Sequence, residues 1–261
     1  MRTIAVINQK GGVGKTTTAV NLGHALALTG KRVMLVDLDP QGHLAACLGL
    51  FRAPEQGVDS VLLEGEYLSD RAVATRELLQ LVPAGKRLQE FETVSGGVER
   101  SRILERCLNQ ASPDVDYLIF DCPPSAGLLV VNAAVAADDL LIPVAGDYLS
   151  LTGLARLMGT IKKLEGLRSK PLQKWIFLSR FIRQRRLSRE VQRKIEQHFP
   201  QNLLQTSVRE ATVLAECAGA GRTVFEYRAK SKSAEEFRAL AEDFVQGKVM
   251  QDEQQETSYV A

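Results

Sequence analysis

The sequence predicts an α/β fold, a mostly parallel twisted sheet with helices on both faces, and three features of the 261-residue chain predict it. Short continuous apolar runs recur, as strands buried on both faces require. Helix-like stretches lie between most of them. Several runs end on a glycine-rich or aspartate-bearing turn, where strands of an open sheet hand over to ligand-contacting loops. Strands are expected over 2–8, 31–37, 79–83, 116–121, 138–144, 174–179 and 203–206, and helices over 15–29, 100–110, 148–166 and 187–198, among others. The stretch Leu50–Leu78 has weaker periodicity and carries Gly, Pro and charges, so a helix-and-loop excursion is expected there. The apolar content of 45% suffices for one substantial core. A single domain over 1–246 follows, with a flexible polar tail at 247–261.

The first strand, containing Ile4-Ala5-Val6-Ile7, runs into Lys10-Gly11-Gly12-Val13-Gly14-Lys15-Thr16-Thr17 and then a helix. This is the layout of a phosphate-binding loop. Gly11, Gly12 and Gly14 let backbone N–H groups, including that of Val13, turn toward an anion, and the helix beginning near Lys15 points its positive end at the same place. Lys15 supplies a mobile charge for β and γ phosphates, the Thr16 hydroxyl can ligate Mg²⁺, and Thr17 serves the phosphates. The usual pattern would place Gly at position 9. Here Gln9 stands there, and Lys10 guards the loop entrance. Lys10 leaves the strand pointing away from its own cradle and is placed to reach a nucleotide held by a second molecule.

The run KGGVGKTT resembles the deviant Walker A box of the ParA/MinD ATPases, relatives of the nitrogenase iron protein. The resemblance implies a P-loop NTPase fold of that type, with ATP and Mg²⁺ as cofactors. It also implies a homodimer sandwiching two ATP molecules, with Lys10 acting across the interface. Two further segments agree. Arg32–Gly42 contains a buried-strand pattern closed by DLDPQG, similar to the family's second signature. By resemblance, Asp39 orients the attacking water and helps hold the Mg²⁺ shell, while Asp37 supports the loop. Tyr117–Ser125 ends a strand on FDCPPS, as a Walker B strand should, and places Asp121 beside the metal. Pro123-Pro124 stiffens the loop beyond, so that it can report on the γ phosphate. The catalytic set implied is Lys10, Lys15 and Asp39, and the metal set is Thr16, Asp39 and Asp121.

The net charge of +2 conceals a separation. Lys162–Lys194 holds twelve Lys or Arg against Glu165 and Glu190, a net of +10 that leaves the rest of the chain near −8. Such a segment can displace counterions from DNA phosphates without reading sequence, and a dimer would double the contacts. Thr206–Arg222 resembles a family stretch whose arginines touch DNA, although Glu210 and Val213 replace arginines of that pattern. The DNA-contact residues expected are Arg183, Arg185, Arg186, Arg209 and Arg222. No helix-turn-helix segment precedes the first strand, unlike the longer plasmid ParA proteins.

No apolar run reaches the ~18 residues that span a bilayer, and the chain enters its first strand at once, so a cytoplasmic, nucleoid-associated protein is expected. Four scattered cysteines without C-x-x-C spacing argue for free thiols, and three unclustered histidines give no zinc site. The expectation is a slow ATPase that positions or segregates a chromosome, plasmid or protein organelle, stimulated by a ParB-like adaptor or another cargo adaptor. Two alternatives stay open. A membrane-cycling MinD-like regulator would use the C-terminal helix on lipid, but Ser233–Gln246 is acidic, and Phe237, Leu240, Ala241 and Phe244 are expected to face the core, so no membrane partner is expected. A metal-cluster ATPase would use Cys122.

Overall fold

The computed structural model describes residues 1–93, 98–166, 168 and 170–250. Its strands are β1 (Arg2–Val6), β2 (Val33–Asp37), β3 (Val73–Arg76), β4 (Leu79–Val82), β5 (Tyr117–Asp121), β6 (Asp139–Ala145) and β7 (Gln173–Ser179). They form one sheet in the order β3-β4-β2-β5-β1-β6-β7, parallel throughout except for β3 against β4. The expected α/β fold is therefore present, with β1 at a switch point between β5 and β6, where an open sheet binds its ligands.

Side chains alternate across this sheet and split the core in two. Ala5, Met34, Val36, Leu118, Phe120, Leu140 and Ile142 face one side. There they meet α3 (Val58–Glu64), α4 (Leu88–Thr93), α5 (Ile103–Gln110), α6 (Leu128–Ala136), α7 (Tyr148–Glu165) and α8 (Arg186–His198). Ile4, Val6, Val33, Leu35, Ile119 and Leu141 face the other. That side is covered by α1 (Lys15–Ala27), α2 (His43–Cys47), α9 (Thr212–Gly219), α10 (Val224–Tyr227) and α11 (Lys232–Gln246). On α11, Phe237, Leu240, Ala241 and Phe244 are all buried, so its apolar stripe is spent on this core. No helix among the described residues is long and apolar enough to cross a membrane.

Most expected strands and helices begin and end within a residue or two of those found. Two differ. The run 203–206 is not a strand: Leu203 makes a single bridge to Ile176 and Leu204 one to Val249. The excursion 50–78 holds, besides α3, the short antiparallel strand β3, whose residues are only partly buried and so lack an apolar signature. Of the segment expected to be a flexible tail, Lys248–Met250 is pinned: Gln205 donates to the Lys248 carbonyl and Met250 to that of Leu203. Residues 251–261 lie outside the described residues.

Candidate nucleotide site

The loop after β1 turns twice through the left-handed region, at Gly12 (φ 72°) and Gly14 (φ 89°), before α1 begins at Lys15. A Cβ at either position would strain the backbone, which explains glycine there. Lys15 is buried, and among the described residues its ammonium hydrogen-bonds only to the Lys10 carbonyl, at 3.4 Å. Burial lowers its pKa, against the pull of Asp121 and Asp39. A cation held this way, with its nearest charged neighbours acidic, is arranged for an anionic ligand.

Register places the acids. Val6 of β1 and Asp37 of β2 both pair with Asp121 of β5, so Asp37 and Asp121 end adjacent strands beside the loop. Asp37 accepts from the Asp39 N–H at 3.0 Å and the Leu44 N–H at 3.2 Å, which shapes the DLDPQG turn, the supporting role expected of it. Asp39 is half-buried and accepts from the Gln41 N–H at 3.0 Å. Among the described residues, both oxygens of Asp121 are buried without a hydrogen-bond partner. Burial pushes its pKa up to about 7, although the Thr16 hydroxyl and Lys15 ammonium work against the rise. Burial and the Asp121 charge likewise push Asp37 well above the usual carboxylate range.

An orphaned acid facing a threonine hydroxyl fits a hydrated Mg²⁺, because this small ion keeps several waters and takes few protein ligands. Among the described residues no group of three His, Cys, Asp or Glu is arranged to hold a metal by itself. Thr16 and Asp121 would hold the ion together with phosphate oxygens, and Asp39 is the acid left to face a water. Cys122 is a buried free thiol whose pKa burial raises, as it does for Cys107 and Cys217. Such thiols are poor ligands and nucleophiles.

Lys10 is partly exposed and paired within its own chain. Its ammonium contacts the two carboxylate oxygens of Asp147 at 2.7 and 2.6 Å and the Ser150 hydroxyl at 3.0 Å. Asp147 also caps α7 by accepting from the Ser150 N–H. Burial alone would raise the Asp147 pKa, but Lys10 and the two Ser150 donors outweigh it and the net shift is downward. Sequence reasoning missed Asp147; the spacing Asp147-x-x-Ser150 is the signal that could have found the cap, and none points to the lysine 137 residues away.

The five arginines expected on DNA are not gathered into one run. Arg183, Arg185 and Arg186 are exposed on the turn into α8, with Arg186 bonded to Glu190 at 2.9 Å. Arg189, Arg193 and Lys194 continue the exposed basic face along α8. Arg209 is instead tied to Glu236 and lines a cleft beside the phosphate loop. Arg222 is exposed beyond α9, next to Gly221, which packs on Gly49. Residues missed in the sequence are Ser179, Arg180 and Glu210, on the rim of that cleft.

The comparisons with known proteins agree with this geometry. A family described as an AAA domain matches residues 1–174. The chain is 37% identical over 245 residues to the sporulation initiation inhibitor protein Soj of Bacillus subtilis, covering 92% of this chain and 96% of Soj. It is 35% identical over 253 residues to the chromosome partitioning protein ParA of Myxococcus xanthus, covering 94% and 88%. Among solved structures, the cobyrinic acid a,c-diamide synthase of Mycobacterium smegmatis with bound ADP and magnesium superposes with a TM-score of 0.81 at 30% identity, over 97% of this chain and all of that one.

Proposed function

This chain belongs to the ParA/Soj family of P-loop ATPases, and we propose that it is a slow, Mg²⁺-dependent ATPase that dimerises around ATP, binds DNA without sequence preference and positions a cargo through a ParB-like adaptor. This reading makes it a cytoplasmic, nucleoid-associated protein. The observation that carries it is the charge arrangement of the site: a buried lysine and, among the described residues, an unpartnered buried aspartate flank a loop that turns twice through the left-handed region. Lys15 and the loop N–H groups bind the phosphates, and Thr16 and Asp121 hold the metal shell. When bound, Mg²⁺ would supply charge neutralisation to the phosphates. Asp39 orients a water in line with the γ phosphate, and little covalent help is needed because phosphoryl transfer depends on positioning and charge. Turnover is slow until dimerisation and the adaptor complete the site.

Lys10 connects nucleotide to assembly. To reach a phosphate of the other protomer it must leave Asp147, a pair about one-third exposed and therefore worth at most ~1 kcal/mol. A phosphate charge enclosed by two protomers outcompetes that. Lys10→Ala is expected to bind ATP with near-normal affinity yet lose dimerisation by at least about 30-fold, the effect of removing one member of an enclosed charge pair worth ~2–5 kcal/mol. Sedimentation of the hydrolysis-blocked Asp39→Ala background, with and without Lys10→Ala, checks this; equal dimer fractions would refute it. Asp147→Asn keeps an N-cap-competent side chain while dropping the charge, so it should shift dimerisation to about fivefold lower protein concentration.

For DNA, Arg185→Glu/Arg186→Glu should reduce the slope of log affinity against log salt by about two per protomer and weaken binding to random duplexes at least tenfold. Unchanged salt dependence would move the DNA surface elsewhere. The name of the M. smegmatis structure suggests amide synthesis as a second reading. That reading requires ATP turnover to depend on a carboxylic acid acceptor and a nitrogen donor, whereas the positioning reading requires dependence on DNA and adaptor.

A further inference from the structure

Helix α8 and the turn before it carry more positive charge than their surroundings match. Arg183, Arg185, Arg189 and Arg193 are exposed and, among the described residues, form no ion pair. The two acids of the helix are already engaged. Glu190 accepts from Arg186 at 2.9 Å, and Glu196 accepts from the Gln192 amide at 2.8 Å. Arg189 and Arg193 stand one helical turn apart on the same face, where two unmatched guanidinium groups repel each other.

The fold delivers the chain's own acids to this place. After α11 the backbone is pinned at Met250, whose N–H donates to the Leu203 carbonyl at 2.8 Å. The Met250 sulfur then lies 3.7 Å from the side-chain nitrogen of Gln192, the residue beside Arg193 and one turn from Arg189. The segment that follows, Gln251–Ala261, holds Asp252, Glu253 and Glu256 and contains no Lys or Arg. Asp252 and Glu253 come about 7–11 Å of extended chain after Met250. Eleven residues can extend roughly 36–40 Å, about twice the ~20 Å length of the thirteen-residue α8. Length, starting point and charge therefore all suit one occupant for the face.

We propose that residues 251–261 lie along the exposed face of α8, with the carboxylates of Asp252, Glu253 and Glu256 among Arg189, Arg193 and the guanidinium groups before them, and that they compete there with DNA phosphates. This inference rests on the DNA-binding reading above. Surface ion pairs are individually weak, but a segment on the same chain acts at an effective concentration on the order of millimolar, so the face stays covered when no polyanion is near. Duplex DNA carries a charge every ~1.7 Å of its axis and displaces the three carboxylates. The contact thus sets a threshold of phosphate density below which the face does not bind.

The test compares three forms on a random DNA duplex by fluorescence anisotropy across a salt series: the full chain, a chain ending at Met250, and the full-length Asp252→Asn/Glu253→Gln/Glu256→Gln. The two altered forms should bind about 3–6-fold more tightly than the full chain at about 50 mM salt, with a log–log slope steeper by about one, so that all three meet near about 200 mM. In an Arg189→Glu/Arg193→Glu background the removal of residues 251–261 should change DNA affinity by a factor of about one, whereas general repulsion of DNA by an acidic segment would keep the full difference. A water-soluble carbodiimide, which joins a carboxylate to an amine in contact with it, should couple residues 251–261 of the full chain to Lys194 at low salt, as read by mass spectrometry. Equal affinity of the three forms at about 50 mM salt, a difference that persists in Arg189→Glu/Arg193→Glu, or no such coupling overturns the proposal while the DNA reading stands. If no form binds DNA, the DNA reading falls and the competition with it.

Discussion

Lys15→Ala should lose ATP by about 10²–10⁴-fold, the largest effect of any single substitution in this protein. The physical reason is that Lys15 is already desolvated: it is 7% exposed, burial lowers its pKa, and its one hydrogen bond is a long contact to a carbonyl. The cost of stripping water from the ammonium is borne by the folded protein before ligand arrives, so phosphate binding collects nearly the whole attraction. Removing one member of such a buried charge pair costs ~3–5 kcal/mol, which is the range quoted. The variant should still fold, since alanine at the first position of α1 suits a helix and no core packing depends on the ammonium. Titration with a fluorescent ATP analogue, alongside circular dichroism to verify folding, measures it. A folded variant that binds within threefold of wild type would show that the phosphates lie elsewhere.

Asp121→Asn should separate stability from function. Folding raises this acid from its ordinary 3.8 to about 7. Between those pH values the folded protein binds a proton that the unfolded chain has released, so the contribution of Asp121 to stability is most favourable below about pH 4. It declines as pH rises toward 7 and stays low above. A rise of that size corresponds to roughly 4 kcal/mol at most. An unpaired asparagine amide returns ~1–3 kcal/mol of that, so a net gain of about 1–3 kcal/mol is expected for the nucleotide-free variant at pH 8. The gain should vanish near pH 4. The same variant should lose the Mg²⁺-dependent part of ATP affinity, because a neutral amide cannot anchor the hydrated ion. Denaturant titrations at pH 5 and pH 8 test the first half, and ATP binding with and without Mg²⁺ tests the second. A variant less stable than wild type at pH 8 would mean that Asp121 has a partner when the site is empty.

The sequence disclosed those parts of the site that lie on single segments. The strands β1, β2 and β5 are buried on both faces, so they read as unbroken apolar runs, and the polar residues that close them are the ones at the ligand edge of the sheet. Lys15, Asp37 and Asp121 were legible for that reason. What needs two distant segments was hidden. Lys10 meets Asp147, and Arg180 meets Gly12 and Glu210, only because β6 and β7 bring their loops alongside the loop of β1. Charge counting was misled in the same way. Of the twelve basic residues in the +10 segment, Arg168 caps the carbonyl end of α6, Lys174 pairs with Glu165, and Arg180 grips the phosphate loop. Arg209, outside that segment, was assigned to DNA by motif and is paired with Glu236. Composition reports how many charges exist and is silent on which of them are already matched.

The chain seals both margins of its own sheet, and that limits how copies can associate. Along β7 and just beyond it, the amide and carbonyl of Ile176, the carbonyl of Leu178 and the amide of Phe181 are taken by residues 202–208, onto which Lys248–Met250 fold in turn. At the opposite margin β3 is four residues long, irregular between Ala74 and Arg76, and crossed by an arginine that reaches Leu48, Gly221 and Glu226. Among the described residues neither margin offers a long row of open hydrogen-bonding groups, which disfavours polymer growth by intermolecular strand addition. Contact between molecules is left to side chains on loops and helices, which are easier to rearrange than a backbone ladder and so suit the reversible association proposed above.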